Sequence, residues 1–136
     1  MSKSPLLAAS GLCTYYDHSQ ALFNVSLSIP SVGGVAILGR NGAGKTTLLK
    51  TIAGELQAQQ GALSFDGSAI AGTSIEHRAI QGIGYVPQDQ GIFARLTVRE
   101  NLEVGALRLA KGSNAIDASN GSALMPKKST MSAIVR

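Results

Sequence analysis

Residues 39–47 constrain the fold of this chain more than any other stretch. Their sequence, Gly-Arg-Asn-Gly-Ala-Gly-Lys-Thr-Thr, fits the pattern G-x-x-x-x-G-K-S/T of a phosphate-binding loop. Such a loop wraps phosphate groups in backbone N–H donors, and glycine lets the main chain approach and turn closely enough to do so. We therefore call residues 39–47 the phosphate loop and expect it to bind a nucleotide.

The residue types at the end of the phosphate loop indicate what each contributes. Lys45 brings a point charge to the outer phosphates, and the Thr46 hydroxyl is suited to a magnesium ion that bridges them. The positive end of the following helix completes an anion site. The alternative is a turn that binds nothing, but a plain turn does not require Lys45 and Thr46. The candidate nucleotide-binding residues of the loop are Gly39, Asn41, Gly42, Ala43, Gly44, Lys45, Thr46 and Thr47.

The segments that flank the phosphate loop predict an α/β fold. Residues 35–38 form a continuous apolar run, which is typical of a strand buried on both faces of a parallel sheet. Residues 48–53 predict a helix that ends at Gly54. A strand, a glycine-rich loop and a helix in this order are the setting that a phosphate-binding loop requires.

Two strands are predicted before the loop, and their shared end carries tyrosines. Residues 6–16 resemble an edge strand, and residues 21–29 alternate apolar and polar side chains, so the two are expected to pair antiparallel. Tyr15 and Tyr16 lie at the end of the first strand, where one ring could stack on a nucleotide base. An ordinary strand tyrosine with its hydroxyl in water is an equal alternative. The apolar members of the alternation are Phe23, Val25, Leu27 and Ile29.

Short local signals organise the chain after Gly54. Asp-Gly at positions 66–67 predicts a β-hairpin, and residues 73–76 and 97–100 each read as a capping box that begins a helix. Residues 83–86 predict another buried strand, which the following proline ends. This leaves Gln88 at the carboxyl end of a sheet strand, where ligands of open α/β sheets gather. One face of the helix after position 97 carries Val98, Leu102, Gly105, Ala106 and Leu109.

The last part of the chain has a different composition. Residues 112–122 are rich in Ser, Asn, Gly and Ala and predict a flexible connection, after which residues 131–136 could begin another helix. We expect a single domain or part of one, since 136 residues are too few for two.

Composition narrows the possible functions. The chain has no tryptophan, 4% aromatic residues and a net charge of +4 whose excess lies in the tail, so we expect no nucleic-acid groove. Cys13 is the only cysteine, which excludes a disulfide framework and suits a reducing cytosol. His18 and His77 lack a cluster of metal-ligating residues around them in the sequence. No apolar run approaches the length that crosses a bilayer, so a cytoplasmic protein is expected.

Taken together, these features resemble the nucleotide-binding subunits of ATP-binding cassette (ABC) transporters. The resemblance rests on two antiparallel strands that end in a tyrosine, the phosphate loop, and Val-Pro-Gln at positions 86–88. Residues 82–88 and 92–102 look like the Q-loop and the helical region that follows it, with most similarity to branched-chain amino acid and urea importers. The resemblance to the family covers about residues 6–109. It implies a P-loop NTPase core of ABC ATPase type with an N-terminal antiparallel β-subdomain.

The resemblance implies roles for particular residues. Tyr16 takes the position of the A-loop tyrosine that stacks on adenine, and Lys45 and Thr46 keep the roles given above. Gln88 takes the position of the Q-loop glutamine, which is expected to contact magnesium and the attacking water and to report nucleotide occupancy. A groove near residues 89–96 would receive a cytoplasmic loop of the membrane subunit. The implied catalytic residues are thus Lys45 and Gln88, and the implied metal ligands are Thr46 and Gln88.

The implied function is an ATPase, peripheral on the inner face of the membrane, that energises import of branched-chain amino acids or related amides. ATP and Mg²⁺ are the implied ligands. The implied partners are membrane permease subunits, a second ATP-binding subunit and, indirectly, a periplasmic solute-binding protein. A lipopolysaccharide-export or other ABC ATPase is the alternative, as is a nucleotide-binding fragment without turnover. A GTPase would need D-x-x-G and N-K-x-D, which the sequence lacks, and nothing indicates the acceptor site or lid of a kinase.

Departures from the family pattern limit what these residues can do. Gly33-Gly34 stands where the family usually has Gly-Glu, which a turn should tolerate. More importantly, the sequence lacks the LSGGQ signature, the apolar run followed by Asp-Glu, and the switch histidine; no carboxylate follows Asp117 and no histidine follows His77. The hydrolytic apparatus is therefore incomplete. We expect residues 1–111 to be the N-terminal part of an ABC ATP-binding domain, and residues 112–136 to be a flexible segment and the start of a truncated helical subdomain.

Overall fold

The computed structural model describes residues 4–88, 93–107 and 131–134. The chain divides into two compact units, Met1–Arg78 and Ala79–Arg136. The elements in the described residues are β1 (Leu7–Tyr16), β2 (Ser19–Ile29), α1 (Lys45–Ala53), β3 (Ala58–Phe65), β4 (Ser68–Ala69), α2 (Ile75–Gln81), β5 (Ile83–Val86), α3 (Val98–Leu107) and β6 (Met131–Ile134).

The first unit is built on an antiparallel sheet with the strand order β2-β1-β3-β4. The predicted pairing of the first two strands is confirmed, with Leu7 opposite Ile29 and Tyr16 opposite Ser19. The prediction that β1 is an edge strand is wrong, because Leu7 also lies opposite Phe65 of β3. A strand becomes central through a partner distant in sequence, and β3 returns to β1 only after α1.

A bulge in β2 changes which of its side chains face the core. Leu12 lies opposite Val25 but Thr14 lies opposite Leu22, so β2 has one residue more than β1 across this interval. Asn24 in the bulge has a φ of 52°. As a result Leu22 is buried and Phe23 is exposed, although the simple alternation predicts that Phe23 shares a face with Val25.

β1 and β3 cross closely at two glycines. Gly61 has a φ of +98°, and a Cβ placed there would lie 2.5 Å from the carbonyl oxygen of Gly11 and 2.7 Å from that of Ser10. Both obstacles are backbone atoms, which no change of rotamer can move away. The register between β1 and β3 shifts at this crossing.

Replacing Gly61 with alanine is expected to destabilise the first unit by about 2–4 kcal/mol, because the left-handed backbone strain adds to the overlap with backbone. Urea denaturation followed by circular dichroism measures the loss. Gly67→Ala is the matched control, because Gly67 also has a positive φ but a Cβ there meets nothing within 4 Å. We expect about 1 kcal/mol for that control. Equal losses for the two variants would contradict the role of the crossing.

Helix α1 packs its apolar side under the sheet and ends where the sequence predicts. Gly54 adopts the left-handed conformation with a φ of 94°, and its N–H donates to the carbonyl oxygen of Lys50 at 3.0 Å. Lys50 also forms an ion pair with Glu55 just beyond the helix. The buried side chains of α1 are Thr47, Leu48, Leu49, Thr51, Ile52 and Ala53.

The prediction of a buried strand at residues 35–38 is wrong. In the structure this stretch is extended chain without strand pairing; Val35 is half exposed and Leu38 is 90% exposed. A strand needs a neighbour to bond with its backbone, and no described residue forms a ladder with this stretch. The apolar composition of this stretch favours burial, but burial as a central strand requires a neighbouring strand to pair with it.

The turn and cap that precede α2 partly follow the local signals. Asp66 and Gly67 have φ values of 47° and 79° and join β3 to β4 as a two-residue hairpin, which confirms that prediction. The residue that caps helix α2 is Ser74, whose hydroxyl accepts a hydrogen bond from the N–H of His77 at 3.3 Å. The prediction that Thr73 serves as the capping residue is wrong, since its hydroxyl donates to the carbonyl oxygen of Ile70 at 2.7 Å.

The second unit contains a parallel strand pair and a capped helix. β5 forms at residues 83–86 as predicted, but only Ile83 is buried, and the strand pairs in parallel with β6. The prediction that residues 131–136 begin a helix is therefore wrong. Residues 112–122 lie outside the described residues. No helix within the described residues is long and apolar enough to cross a membrane.

Helix α3 begins at the predicted capping box. The Thr97 N–H and hydroxyl donate to the Glu100 carboxylate at 2.7 and 2.8 Å, and the Glu100 N–H donates back to the Thr97 hydroxyl at 3.3 Å. These two bonds from Thr97 hold the pKa of Glu100 below its ordinary value. On the predicted apolar face, Val98 and Leu102 are both exposed, and the side chains of positions 105 to 109 are outside the described part.

Candidate functional site

The phosphate loop leads directly into the N-terminus of α1. Gly42 and Gly44 have φ values of 82° and 88°, and the Ala43 N–H donates to the carbonyl oxygen of Arg40 at 3.1 Å, which closes a turn within the loop. Gly44 occupies the cap position of α1, where no side chain makes a capping hydrogen bond. The first N–H groups of the helix therefore lack a side-chain cap, as an anion site requires.

Lys45 folds back over the phosphate loop. Its ammonium group donates to the carbonyl oxygens of Gly39 at 2.7 Å and Arg40 at 2.9 Å. The methylene stem lies against Gly39, where a Cβ would come within 3.7 Å of Lys45 Cδ. The Lys45 ammonium is thus held directly above the loop backbone, and it has a third N–H besides the two that these carbonyls take.

Thr46 and Thr47 have opposite environments. Thr46 is exposed, whereas Thr47 is buried in the core face of α1. A magnesium ion accepts oxygen ligands and retains waters, so one accessible hydroxyl beside phosphate oxygens fits its requirements. Within the described residues no group of three or more His, Cys, Asp or Glu side chains could hold a metal ion by itself. The exposed Thr46 hydroxyl is thus accessible to a metal ion of this kind.

The β1–β2 hairpin places the Tyr16 end of the sheet beside the phosphate loop. A Cβ on Gly44 would lie 3.1 Å from both the carbonyl oxygen of Ala21 and Cδ2 of Leu22, so the last glycine of the loop lies close against β2. Leu22 in turn lies opposite Thr14, two residues before Tyr16. Tyr16 is 44% exposed, which leaves part of its surface accessible.

Tyr15, the other candidate, faces a different neighbour. Its N–H donates to Oε1 of Gln59 in β3 at 3.1 Å. It lies opposite Gln20, and its side chain is half-buried, whereas Tyr16 is the last residue of β1. Successive strand residues point to opposite faces, so only one of the two rings can face a bound base.

A chain of buried hydroxyls joins the hairpin to α1. Oγ1 of Thr14 lies 3.1 Å from Oγ1 of Thr51, and the Thr51 hydroxyl donates to the carbonyl oxygen of Thr47 at 2.8 Å. Thr14 is fully buried, and Thr51 is 1% exposed. The i to i−4 bond within α1 follows from the spacing of Thr47 and Thr51, but the link to Thr14 has no signal in the sequence.

Arg78 closes the opposite end of α1, and no sequence motif marks it. Its Nη1 donates to the carbonyl oxygens of Thr51 at 2.6 Å and Ile52 at 2.9 Å, and its Nε donates to the Thr73 hydroxyl at 3.0 Å. The side chain is 1% exposed, and this burial lowers the pKa of Arg78. A Cβ on Gly54 would meet Arg78 Cδ and Nε at 3.2 Å, so the glycine that ends α1 also makes room for this side chain.

Gln88 lies in the second unit, two residues after the end of β5, and is exposed. The predicted groove at residues 89–96 falls partly outside the described residues, which resume at Phe93. There Asn101 holds the approach to α3: its Nδ2 donates to the carbonyl oxygens of Phe93, Leu96 and Thr97 at 3.1, 3.2 and 3.0 Å. The Phe93 N–H donates back to Oδ1 of Asn101 at 2.9 Å. This segment is therefore an ordered turn with an exposed phenylalanine at its start.

Comparison with known proteins identifies a family. The model of the ABC transporter family matches residues 22–134. The chain is 42% identical over 97 residues to the lipopolysaccharide export system ATP-binding protein LptB of Haemophilus influenzae, covering 71% of this chain and 40% of that protein. It is 38% identical over 100 residues to the high-affinity branched-chain amino acid transport ATP-binding protein BraG of Pseudomonas aeruginosa, covering 74% of this chain and 43% of BraG.

Solved structures agree on the fold. An ATP-binding cassette of an ABC transporter in its ADP conformation superposes with a TM-score of 0.59 at 29% identity, over 64% of this chain and 35% of that chain. The α/β fold of ABC ATPase type predicted from the sequence is thereby confirmed. The chain spans less than half the length of LptB and of BraG.

Proposed function

The chain belongs to the ABC transporter family, and from this premise we propose that it binds ATP between the phosphate loop and the Tyr16 end of the β1–β2 hairpin. The proposal is carried by the packing of Ala21 and Leu22 on Gly44, which brings the tyrosine end of the sheet to the phosphate loop. A site for phosphates and a stacking surface for a base would then lie side by side, as a nucleotide requires.

The phosphate part of the site would use the backbone of residues 39–47 and two side chains. The uncapped N-terminus of α1 and the glycine turn offer N–H donors, and Lys45 offers a positive charge that already lies over the loop. Thr46 would ligate a magnesium ion, which would neutralise charge on the outer phosphates when bound. Asn41 would contribute to the loop through its backbone N–H group, and Ala43 would hold the turn of the loop through its N–H bond to the carbonyl oxygen of Arg40.

Gln88 and the segment after it are proposed to work with other subunits. On the family pattern, Gln88 would contact the metal and the attacking water, and the ordered turn around Phe93 would face a membrane permease subunit. The parent protein would then be an ATPase on the inner face of the membrane, working as a pair of ATP-binding subunits, with residues 1–111 forming the N-terminal part of the domain. A periplasmic solute-binding protein would act further along the same pathway.

The transported solute is proposed to be a branched-chain amino acid or related amide. BraG supports this proposal, since its name records branched-chain amino acid transport. LptB supports the alternative of lipopolysaccharide export. Neighbouring genes for two permeases and a periplasmic amino-acid receptor would support import, whereas genes for an export machinery would contradict it.

We expect nucleotide binding rather than turnover to be the measurable activity of these 136 residues. No carboxylate follows Asp117, and the sequence contains neither the Asp-Glu pair that would supply a general base nor the signature that would complete a partner's site. ATP hydrolysis above that of a Lys45→Ala control would contradict this expectation.

The test of the proposed function is equilibrium dialysis of the chain with Mg-ATP, Mg-GTP and magnesium tripolyphosphate, at a concentration where light scattering shows it monomeric. Tyr16→Ala is expected to weaken ATP and GTP alike by about 1–3 kcal/mol, because stacking tolerates different bases. Tripolyphosphate carries no base, so its affinity should not change.

Tyr15→Ala is the matched control, because it removes the same side chain one position earlier. We expect ATP affinity within about twofold of the parent chain for this control, given that the Tyr15 N–H contact to Gln59 is made by backbone. A larger loss for Tyr15→Ala than for Tyr16→Ala would mean that Tyr15, rather than Tyr16, makes the base contact. Failure of the parent chain to bind ATP would overturn the proposed function.

A further inference from the structure

The buried hydroxyls of Thr14 and Thr51 form a directed connection between β1 and α1. The Thr51 hydroxyl has one proton, and it is donated to the carbonyl oxygen of Thr47 at 2.8 Å. The 3.1 Å contact between Thr14 and Thr51 is therefore a hydrogen bond in which Thr14 donates and Thr51 accepts. The three groups make a chain that runs from the strand to the first turn of the helix.

The two ends of this chain lie beside the two halves of the proposed site. Thr14 is two residues before Tyr16 and lies opposite Leu22, whose side chain lies close to Gly44. At the other end, Thr47 directly follows Thr46 in the first turn of α1. The connection is shielded from water along its whole length, since the three threonines are all buried.

On the basis of the proposed function, we infer that Thr14 and Thr51 are positioning residues that hold Tyr16 at a fixed place relative to the phosphate loop. In this role, the two threonines determine how much affinity a nucleotide gains from its base over the affinity of its phosphates alone. A hydrogen bond fixes one distance and direction between strand and helix, whereas apolar packing between the same two elements would allow them to slide.

The use of threonine at both positions supports a role in positioning. Valine has nearly the same shape and would fill the same space without burying a polar group, which costs free energy unless it is hydrogen-bonded. Thr14 and Thr51 are buried among the leucines and isoleucines of the core, such as Leu12 and Ile52. Because both hydroxyls are hydrogen-bonded, this pair is compatible with burial and also has a direction that two valines would lack.

The experiment uses a tryptophan in place of Tyr16. The chain has no tryptophan, so Tyr16→Trp introduces a single tryptophan at the proposed base contact, and its emission can be excited separately from that of the remaining tyrosines. Stacking on a base is expected to quench its emission, so Mg-ATP should quench it and magnesium tripolyphosphate should not. Equilibrium dialysis gives the affinity for both ligands with the same protein.

Thr51→Val and Thr14→Val are then made separately in the Tyr16→Trp chain. Each should weaken ATP roughly five- to tenfold, a part of the total stacking contribution, and leave tripolyphosphate within about twofold. The ATP-induced quenching should fall in proportion. Thr51→Ser retains the hydroxyl and should keep both the ATP affinity and the quenching of the parent.

Ile70→Val is the control for a general loss of stability. Ile70 is fully buried and directly follows β4, at the opposite edge of the sheet from β2, and its backbone hydrogen bonds join it to Leu63 and Thr73. It should lower the denaturation midpoint without changing the ratio of ATP to tripolyphosphate affinity. Circular dichroism verifies that each variant is folded. If Thr51→Val does not fold, Thr14→Val still tests the inference, because it leaves the Thr51 bond to Thr47 in place.

The outcomes separate this inference from the proposed function. Equal loss of ATP and tripolyphosphate affinity in the valine variants, or no loss of either, would overturn the positioning role while leaving nucleotide binding intact. A parent chain that binds neither ligand would overturn the proposed function and this inference together. Selective loss of ATP affinity with rescue by Thr51→Ser is the expected result.

Discussion

Lys45→Ala should weaken binding of Mg-ATP by about 2–3 kcal/mol, which corresponds to roughly 30- to 150-fold in the dissociation constant. The reason is that a charge-assisted contact to the outer phosphates is lost while the glycine backbone of the loop remains. The variant also loses the two bonds that hold the Lys45 ammonium on Gly39 and Arg40. Calorimetric titration at fixed ionic strength measures the change.

Lys50→Ala provides a charge-matched control for this prediction. Lys50 lies on the same helix, five residues further on, and its ammonium pairs with Glu55 on the surface at 3.4 Å. Removing it changes the net charge by the same amount but leaves the loop intact, so ATP affinity should stay within about twofold of the parent. If Lys45→Ala and Lys50→Ala bound ATP equally well, the phosphate loop would not be the binding site.

Lys45→Met separates charge from packing. Methionine keeps an unbranched apolar stem that can lie against Gly39, as the methylenes of Lys45 do, but it cannot donate a hydrogen bond. Its ATP affinity should be as low as that of Lys45→Ala, because the ammonium group supplies the binding energy. An affinity near that of the parent would mean that the stem, rather than the charge, orders the loop.

The features that the sequence predicts correctly are set by neighbouring residues. Asp66 and Gly67 adopt the positive φ values that a two-residue hairpin requires, and Gly54 takes the left-handed conformation that ends a helix. The capping box at Thr97 and Glu100 forms with all three of its bonds. Each of these depends on at most five consecutive residues, so a local pattern contains all the information required.

The predictions that fail depend on partners distant in sequence. Residues 35–38 have the composition of a central strand, but no described strand bonds to them, and they stay exposed. β1 has the composition of an edge strand, yet β3 pairs with its second side. Residues 131–134 form a strand because β5 offers a parallel edge, although their short apolar pattern fits a helix equally well.

The candidate site can be recognised in the sequence at its chemically distinctive residues, but the residues that support it cannot. A lysine and a threonine after a glycine turn have few other uses, so Lys45 and Thr46 stand out. Threonines at positions 14 and 51 and an arginine in a short helix are common on surfaces, and only the folded structure shows that they are buried. Thr14 and Thr51 are 37 residues apart in sequence, and Arg78 and Thr51 are 27 residues apart. No periodic sequence pattern links residues over such distances.

Arg78→Ala is the change expected to cost most in stability, at about 3–5 kcal/mol. It removes three donated hydrogen bonds and leaves their acceptors, the carbonyl oxygens of Thr51 and Ile52 and the hydroxyl of Thr73, without this donor in a buried setting. It also leaves a cavity against Gly54. The positive charge at the C-terminus of α1 is lost as well, and that charge is favourable against the helix dipole.

Urea denaturation and amide hydrogen exchange of α1 measure this prediction together. Arg99→Ala is the control, since Arg99 lies on an exposed face of α3 and should change stability by less than about 0.5 kcal/mol. Arg78→Lys should fall between the two, because an ammonium keeps the charge but cannot reproduce a planar group that donates to α1 and to Thr73 at once. If Arg78→Ala cost no more than Arg99→Ala, the carbonyl oxygens at the end of α1 would have to find other donors. Burial of the Arg78 guanidinium would then cost desolvation free energy that no stabilising contact offsets, contrary to the general behaviour of buried charges.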